Sequence, residues 1–368
     1  MFYLFPLFLD EFHPSKSLVG LIMGIHSVTA ILVRPLFGRV LDKRGGRKVA
    51  ITGLLIMIAS MPGFYMVDSA GILALMLRAF NGVGWGISTT AIFAMCSDLA
   101  PPERMAHSLG IIGVAGIVAG AVGPMVAEEI LRGYSFHAVF SASLIMLIAA
   151  LFSVTVIKET SHEKIQAKVE KAAGVLAYPF LVLFVVAAMP IVHGAVRGSV
   201  INFIALFGSS IGFNRIGPFF LAFSGAAIIT RIGIGDISDR YGRKRIILPT
   251  AILIGINLFW IARIESYWAF VTCGFIAGLG QGLLFPALST YIIDFLGRRN
   301  KGLALGLYLS LFDVGMGLGS PLFGWISDLA DYRIMYIVAG CLIIVTTLIF
   351  SYKAPRISVR KSLITDSA

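Results

Sequence analysis

The sequence is poor in charge. Only 13% of its 368 residues are Asp, Glu, Lys or Arg, whereas 58% are hydrophobic. A soluble domain carries about 25% charged residues, so this chain lacks the polar surface that would cover a soluble globule of its size. The composition excludes a disordered or collagen-like chain and predicts an integral membrane protein.

Several chemical signatures are also missing. The three cysteines, Cys96, Cys273 and Cys341, lie in apolar stretches without metal-ligand spacing, so we interpret them as small buried apolar residues. No Walker A sequence, Ser/His/Asp arrangement or metal-ligand cluster is present. We therefore expect no cofactor, no metal and no enzymatic activity. The net charge of +11 is divided into short basic clusters between apolar runs, which argues against a nucleic-acid partner.

Eleven apolar runs are long enough to cross a bilayer, which takes about 20 residues in a helix. Their continuous apolarity predicts helices, because barrel strands would alternate. A further apolar fragment, 1–12, is too short to cross. The eleven runs cover roughly residues 17–38, 49–67, 71–96, 106–131, 135–157, 175–207, 216–237, 246–263, 267–294, 302–327 and 332–352.

Basic residues are distributed unevenly between the connections. Alternate connections and the tail carry 21 of the 30 Lys and Arg residues, and the opposite connections carry five. The positive-inside rule then predicts that the first set, with the C-terminus, is cytoplasmic in a bacterial or archaeal cell membrane. The remaining four basic residues lie within the spans: Arg34, Arg78, Arg197 and Arg231.

The chain contains an internal repeat. Residues of the first half recur 196 or 197 positions later, and among them are Arg34 with Arg231, Gly38 with Gly235, Asp42 with Asp239, Gly45 with Gly242, and Asp98 with Asp294. Parallel duplicated halves are a transporter architecture. We predict an N-terminal transmembrane unit at 1–157, a cytoplasmic linker at 158–174, a C-terminal unit at 175–353 and a cytoplasmic tail at 354–368.

The repeat also bears on the short first fragment. Its counterpart, the run at 175–207, extends about 30 residues, whereas the fragment retains about nine. We therefore expect that roughly 20 residues of an N-terminal helix are absent, through either a misplaced start or a real truncation.

Two predicted loops carry the pattern Gly-x-x-x-Asp-[Arg/Lys]-x-Gly followed by basic residues. This pattern resembles the loop after the second helix in the major facilitator superfamily, and the resemblance covers the whole chain. It implies an all-α fold of two pseudo-symmetric six-helix bundles, with the first helix largely missing. The matching residues are Gly38, Asp42, Lys43, Gly45 and Arg47 in the first copy, and Gly235, Asp239, Arg240, Gly242 and Arg243 in the second.

The resemblance implies that these loops latch a cytoplasmic gate, with Asp98 and Asp294 as companion acceptors. The first copy departs from the pattern at Gly46, where a basic residue is common. The alternative is that these charges only set topology and solvate the loops.

A second motif contains Arg78 and Asn81. It is similar to the family pattern Arg-x-x-Gln-Gly-x-Gly, with Asn81 in place of Gln. A charge within the bilayer is costly unless it is paired or hydrated, so an intramembrane arginine is a functional candidate. The resemblance implies proton coupling or the binding of an anionic group. The alternative is a structural arginine bonded to backbone carbonyls.

A third motif, with Gly110, Gly123 and Pro124, partly resembles the pattern typical of the family's antiporters. Small residues and proline suit a kinked, closely packed helix. The match favours export over uptake, and ordinary helix packing is the alternative.

Other polar residues lie within or near the spans. Asp313 is a candidate proton carrier, or else a satisfied helix contact. His193 and Arg197 lie on one face of a predicted helix and are candidates to line a cavity with Asn202. Glu128, near the end of a span, we expect to be solvated.

The combined prediction is a secondary active transporter of a small organic solute. It would work by alternating access with proton-coupled efflux, as in the drug/proton antiporter-like branch. The expected partners are a small-molecule substrate, protons and the lipid bilayer, and we expect a monomer. Two alternatives stay open: a proton symporter that imports a sugar or organic acid, and a non-transporting membrane sensor or truncated remnant.

Overall fold

The structure is a computed structural model that describes residues 3–99, 105–157, 179–233, 242–297 and 301–355. Every regular element within these ranges is a helix. The twelve helices are α1 Phe5–Asp10, α2 Lys16–Arg44, α3 Gly46–Phe64, α4 Ile72–Leu99, α5 Met105–Gly133, α6 Phe136–Val156, α7 Phe180–Ser210, α8 Gly217–Gly233, α9 Arg243–Ile261, α10 Tyr267–Leu296, α11 Lys301–Leu329 and α12 Tyr332–Lys353.

Nine of the described helices are long and apolar enough to cross a membrane. The two predicted spans outside this set are α4 and α8. Helix α4 is 28 residues long but contains Arg78 and Asn81, and α8 is described over only 17 residues. The predicted linker at 158–174 and most of the tail lie outside the described residues.

Local sequence explains where several helices begin. The Ser15 hydroxyl accepts a hydrogen bond from the Leu18 amide at the start of α2, and the Asp331 carboxylate accepts one from the Ile334 amide at the start of α12. Gly45, between α2 and α3, has φ of 83°, and Gly242, before α9, has φ of 89°. Residues with a side chain rarely adopt these angles, so both copies of the repeated loop need glycine here.

The described parts of the two halves meet through two helix pairs that the repeat makes equivalent, and through α1 and α7. Helix α2 packs along α11, α5 packs along α8, and α1 contacts α7. Because α8 is the counterpart of α2 and α11 the counterpart of α5, the first two contacts are copies of one arrangement.

Glycines bring the backbones of α2 and α11 into contact. A Cβ atom at Gly20 would stand 2.7 Å from the carbonyl carbon of Ser320, and one at Gly324 would stand 2.8 Å from that of Lys16. Gly24 directly faces Gly317 in the same way. Small residues permit such close packing in membranes, where dispersion forces dominate helix association. We call this line of contact the glycine seam.

The glycine seam does not continue along the whole length of the two helices. Gly38 and Gly306 lie 18 residues from Gly20 and Gly324, which is five helical turns, so each shares a helix face with its partner. No described atom lies within 4 Å of the Cβ position at Gly38 or Gly306. Helices α2 and α11 are therefore in contact at one end and separated at the other.

We name the two ends of the molecule. The end at which α2 and α8 begin is the capped end, because a carboxylate from the opposite half caps each of these helices there. The opposite end, which holds Arg44, Arg47 and Arg243, is the basic end.

The outer surface is apolar. Met146, Phe152 and Leu32 are each about two-thirds exposed, as lipid-facing side chains are in a membrane protein. The cysteines differ in their surroundings: Cys273 is buried, whereas Cys341 is exposed, so the expectation that all three are buried was wrong for Cys341.

The glycine seam can be tested with a matched pair of substitutions. We expect Gly20→Ala to lower the free energy of unfolding by about 1–3 kcal/mol, because its methyl group would meet backbone atoms. Gly38→Ala, on the same face but in open space, should leave stability unchanged or slightly raised. Thermal unfolding of the two purified variants measures the difference. Equal losses in both would contradict the seam.

Candidate functional site

At the capped end, the Glu128 carboxylate from α5 holds the first turn of α8. The amides of Ile216 and Gly217 donate to its two oxygens at 2.6 and 2.7 Å. These amides have no partner within their own helix, and a negative charge there also complements the helix dipole. Glu128 is only 8% exposed, so the expectation of a solvated glutamate was wrong. Its neighbour Glu129, with a 63% exposed side chain, fits that description.

The same arrangement occurs on the other side of the capped end. The Asp328 carboxylate from α11 accepts hydrogen bonds from the amides of Lys16 and Ser17 at 2.7 and 2.8 Å, and also from the Ser17 hydroxyl. Asp328 lies 200 positions after Glu128, and Ile216 and Gly217 lie 200 positions after Lys16 and Ser17. Each half therefore caps a helix of the other half through an equivalent carboxylate.

Where the glycine seam ends, an ion pair joins the halves. The guanidinium of Arg34 in α2 donates to the carboxylate of Asp313 in α11. Gly24 faces Gly317 on the side toward the capped end, and Gly38 lies in open space on the side toward the basic end. The pair therefore stands at the point where the two helices separate.

A polar cluster from the second half lies next to this pair. His193 of α7 hydrogen-bonds through Nε2 to Gln281 of α10 at 2.8 Å, and its Nδ1 is 3.5 Å from the Tyr308 hydroxyl of α11. The His193 ring also meets Phe312 edge-on, 5.0 Å between centroids. Phe312 directly precedes Asp313 in α11, which places the cluster beside the ion pair.

Two arginines extend the polar cluster between the halves. The Arg197 guanidinium lies 4.4 Å from the centre of the Phe223 ring in α8. Arg231 Nη1 is 2.6 Å from the position of a Cβ on Gly113, so this side chain from the second half reaches the backbone of α5.

Other predicted cavity residues lie elsewhere. Asn202 is buried and donates to the Ser320 hydroxyl at 2.6 Å, beside the glycine seam, so it is not grouped with His193. Arg78 is 1% exposed, and its guanidinium lies 5.4 Å from the centre of the Phe5 ring. Asn81 is buried in the same helix, α4.

At the basic end, one part of the repeated loop motif forms an ion pair. Arg243 Nε lies 3.3 Å from Asp294 Oδ2, and both side chains are less than 10% exposed. The position equivalent to Arg243 in the first half is Gly46, whose Cβ position is occupied by the Met95 side chain. The two copies therefore differ at this point: an ion pair in one half corresponds to apolar contact in the other.

Several predicted gate residues are only partly described. The side chains of Asp42, Lys43 and Asp98 lie outside the described residues, as do Gly235, Asp239 and Arg240 entirely. Arg47 is half-buried. In α5, Gly110 lies near the start, Pro124 lies inside the helix, and Gly123 has no described atom within 4 Å of its Cβ position.

Comparison with known proteins decides the family. The family profile described as the Major Facilitator Superfamily matches residues 1–262 and 210–366, which together cover almost the whole chain. The chain belongs to the Major Facilitator Superfamily. Its family members are transporters, and the nine described helices that could cross a membrane, together with the bacterial relatives, support an integral protein of a bacterial membrane.

Two relatives of this superfamily member have names that point to efflux. The staphylopine export protein of Staphylococcus aureus (strain Mu50) is 25% identical over 353 residues, covering 93% of this chain and 88% of the relative. Multidrug resistance protein 1 of Bacillus subtilis is 22% identical over 355 residues, covering 95% and 91%. These relatives support a transporter of small solutes.

The fold agrees with solved members of the superfamily. The nucleoside transporter NupG, solved as a point mutant, superposes with a TM-score of 0.79 over 96% of this chain and 94% of that one, at 12% identity. At this identity the likeness concerns the fold alone.

Sequence reasoning missed several residues that the superfamily fold brings together. Arg34 was identified as part of the repeat and as a basic residue within a span, but not as the partner of Asp313, which lies 279 positions away. No sequence pattern pointed to Tyr308 or Gln281. Asp328 could have been found from the repeat, because it lies 200 positions after Glu128, an offset about one helical turn longer than that of the main repeat.

The carboxylate caps predict a specific pattern of hydrogen exchange. We expect Glu128→Ala to speed amide exchange at Ile216 and Gly217 by about 2- to 30-fold, because loss of a cap costs about 0.5–2 kcal/mol. Glu129→Ala is the matched control and should leave both amides unchanged. Hydrogen–deuterium exchange with mass spectrometry, in lipid nanodiscs, measures both. Equal exchange in the two variants would show that Glu128 does not hold α8.

Proposed function

We propose that the protein is a secondary active transporter that exports a small organic solute by alternating access, driven by protons. Two bundles of six helices, the units predicted at 1–157 and 175–353, would rock against each other. The observation that carries the proposal is the glycine seam, closed toward the capped end and open toward Gly38 and Gly306.

The glycine seam, in contact at one end and open at the other, is the arrangement that alternating access requires of a resting state. A transporter must close one side of its central path while the other is open. Here the seam and both carboxylate caps close one end. Because basic residues concentrate at the other end, the positive-inside rule makes the open side cytoplasmic, which suits an exporter waiting for its solute.

Arg34 and Asp313 are the first candidates for coupling. An acid within the membrane is retained at a cost, and the Arg34 guanidinium offsets that cost only while the two helices are close. Protonation of Asp313 would remove the attraction and release α2 from α11. Arg78 is a second candidate because of its similarity to the family's intramembrane arginine motif.

The gate at the basic end is proposed for the repeated loops. Arg243 and Asp294 would fix the ends of α9 and α10, and Asp42, Asp98 and Asp239 would bind across the loops when that end closes. The names of the relatives favour export over import.

The first test uses the full-length protein in proteoliposomes. Exposed to a cell metabolite extract, they should accumulate a solute when a pH gradient is imposed. Asp313→Asn should lower that accumulation at least about tenfold while leaving solute exchange without a gradient intact, because the variant cannot carry the proton. Mass spectrometry of the vesicle contents measures both.

Asp331→Asn, an exposed helix cap, is the control and should behave as the wild type. Gradient-driven accumulation that survives in Asp313→Asn would remove Asp313 from the coupling scheme. Absence of any solute accumulation in the wild type would contradict transport itself.

The second test concerns the loop at the basic end. We expect Asp42→Asn to abolish transport while the protein still inserts into the membrane, because the loop could no longer stabilise the closed gate. Solute flux in proteoliposomes, with insertion checked by protease protection, measures this. Normal flux would reject the gate role of Asp42.

A further inference from the structure

The described charges between the two halves do not balance. Among the described residues, the one carboxylate that lies more than two turns from both ends of its helix is Asp313. It is engaged by Arg34. Arg197 and Arg231 also project from the spans, so the described part of the interior carries more positive than negative charge. A small solute that enters this part meets a surplus of cations.

Arg197 and Arg231 have no carboxylate partner within the part of the chain that the structure describes. Neither forms a salt bridge or a hydrogen bond with any described residue, and Arg231 Nε is buried without a described partner. Both arginines are half-buried within the spans, where a cation without a counter-ion is costly, so such arginines are expected to serve a ligand.

The two side chains stand at the interface between the halves. Arg231 reaches Gly113 of α5, and Arg197 lies against Phe223 of α8, one turn from the Phe220 ring that meets Tyr3. Arg231 therefore touches the first half, and Arg197 lies one turn of α8 from such a contact. A ligand held here would touch both parts that move during transport.

The surroundings of the two guanidinium groups are aromatic. The Phe223 ring supports the Arg197 guanidinium, and the ring of Tyr3 lies 4.6 Å from that of Phe220, one turn before Phe223. Tyr308 and Phe312 of α11 stack 6.3 Å apart beside His193, which lies one turn before Arg197 in α7. Aromatic surfaces of this kind favour an organic ligand over an inorganic ion.

We propose that the solute is an organic anion whose carboxylate is bound between Arg197 and Arg231. The guanidinium fork matches a carboxylate with two parallel hydrogen bonds, and Phe223 holds one fork in place. This proposal rests on the transport function above and names the substrate class of that same site. Cationic solutes would be repelled, because Asp313 is already neutralised by Arg34.

The test compares two dyes of similar size and opposite charge. The full-length protein in lipid nanodiscs is titrated with carboxyfluorescein, an anionic carboxylate dye, and with rhodamine 6G, a cationic one, by fluorescence anisotropy. We expect saturable binding of carboxyfluorescein alone. Arg197→Gln and Arg231→Gln should each raise its Kd about tenfold or more, because each removes charge-assisted hydrogen bonds.

Two controls separate binding from folding. Arg333→Gln, an exposed arginine at the start of α12, should leave the Kd unchanged. Arg197→Lys should recover part of the affinity, because it keeps the charge but not the fork. Size-exclusion profiles and thermal unfolding verify that each variant is folded.

Competition distinguishes an organic anion from any anion. We expect citrate to displace carboxyfluorescein at a lower concentration than inorganic phosphate does. Equal displacement by phosphate, a preference for rhodamine 6G, or an unchanged Kd in both arginine variants would overturn the proposal. If carboxyfluorescein binds but proteoliposomes transport no solute, the substrate class stands and the transport function fails. If the proteoliposomes transport only neutral or cationic solutes, the transport function stands and the proposed substrate class fails.

Discussion

The close approach of α2 to α11 is the constraint on which the other features depend. With no side chain at Gly20, Gly24 and Gly324, the two backbones touch, and that contact fixes the antiparallel register of the helices. In that register the start of α2 lies beside Asp328, and Arg34 lies beside Asp313. Larger side chains at these glycines would push α2 and α11 apart and move both polar contacts out of hydrogen-bonding range. The packing therefore positions the charges, and the charges do not set the packing.

Two kinds of polar contact cross between the halves, and they differ in what they allow. The caps by Glu128 and Asp328 are made to backbone amides at the starts of helices, where losing a cap costs about 0.5–2 kcal/mol; the Glu128 cap is buried and the Asp328 cap is exposed. The pair of Arg34 with Asp313 lies farther along α2 and α11, and its side chains are 27% and 20% exposed, so the two charges stay within reach of water when they separate. In the proposed cycle, this pair is the contact that a proton on Asp313 would weaken.

The fold could be predicted from sequence more completely than the site. Apolar runs, loop glycines and the repeat can all be recognised in the sequence itself. Gly45 and Gly242 have positive φ angles, which explains why these two positions are glycine. The partners of Asp313 and Glu128 depend on the crossing of distant helices, which no local pattern encodes. Glu128 and Glu129 show why the local sequence does not decide which side chain is buried. They are adjacent and chemically alike, yet the turn of about 100° between neighbouring helix residues buries one against α8 and exposes the other.

The repeat is imperfect, and its differences fall at the basic end and in the interior. Glu128 and Asp328 cap equivalent helices, whereas Arg243 with Asp294 has no equivalent pair at Gly46. In the interior, Arg34 and Arg231 occupy repeated positions in α2 and α8, yet Arg34 meets a carboxylate and Arg231 meets the backbone of Gly113. The arginine with a carboxylate partner joins the two halves, and the one without a described acid is, in our proposal, free to bind the carboxylate of the solute.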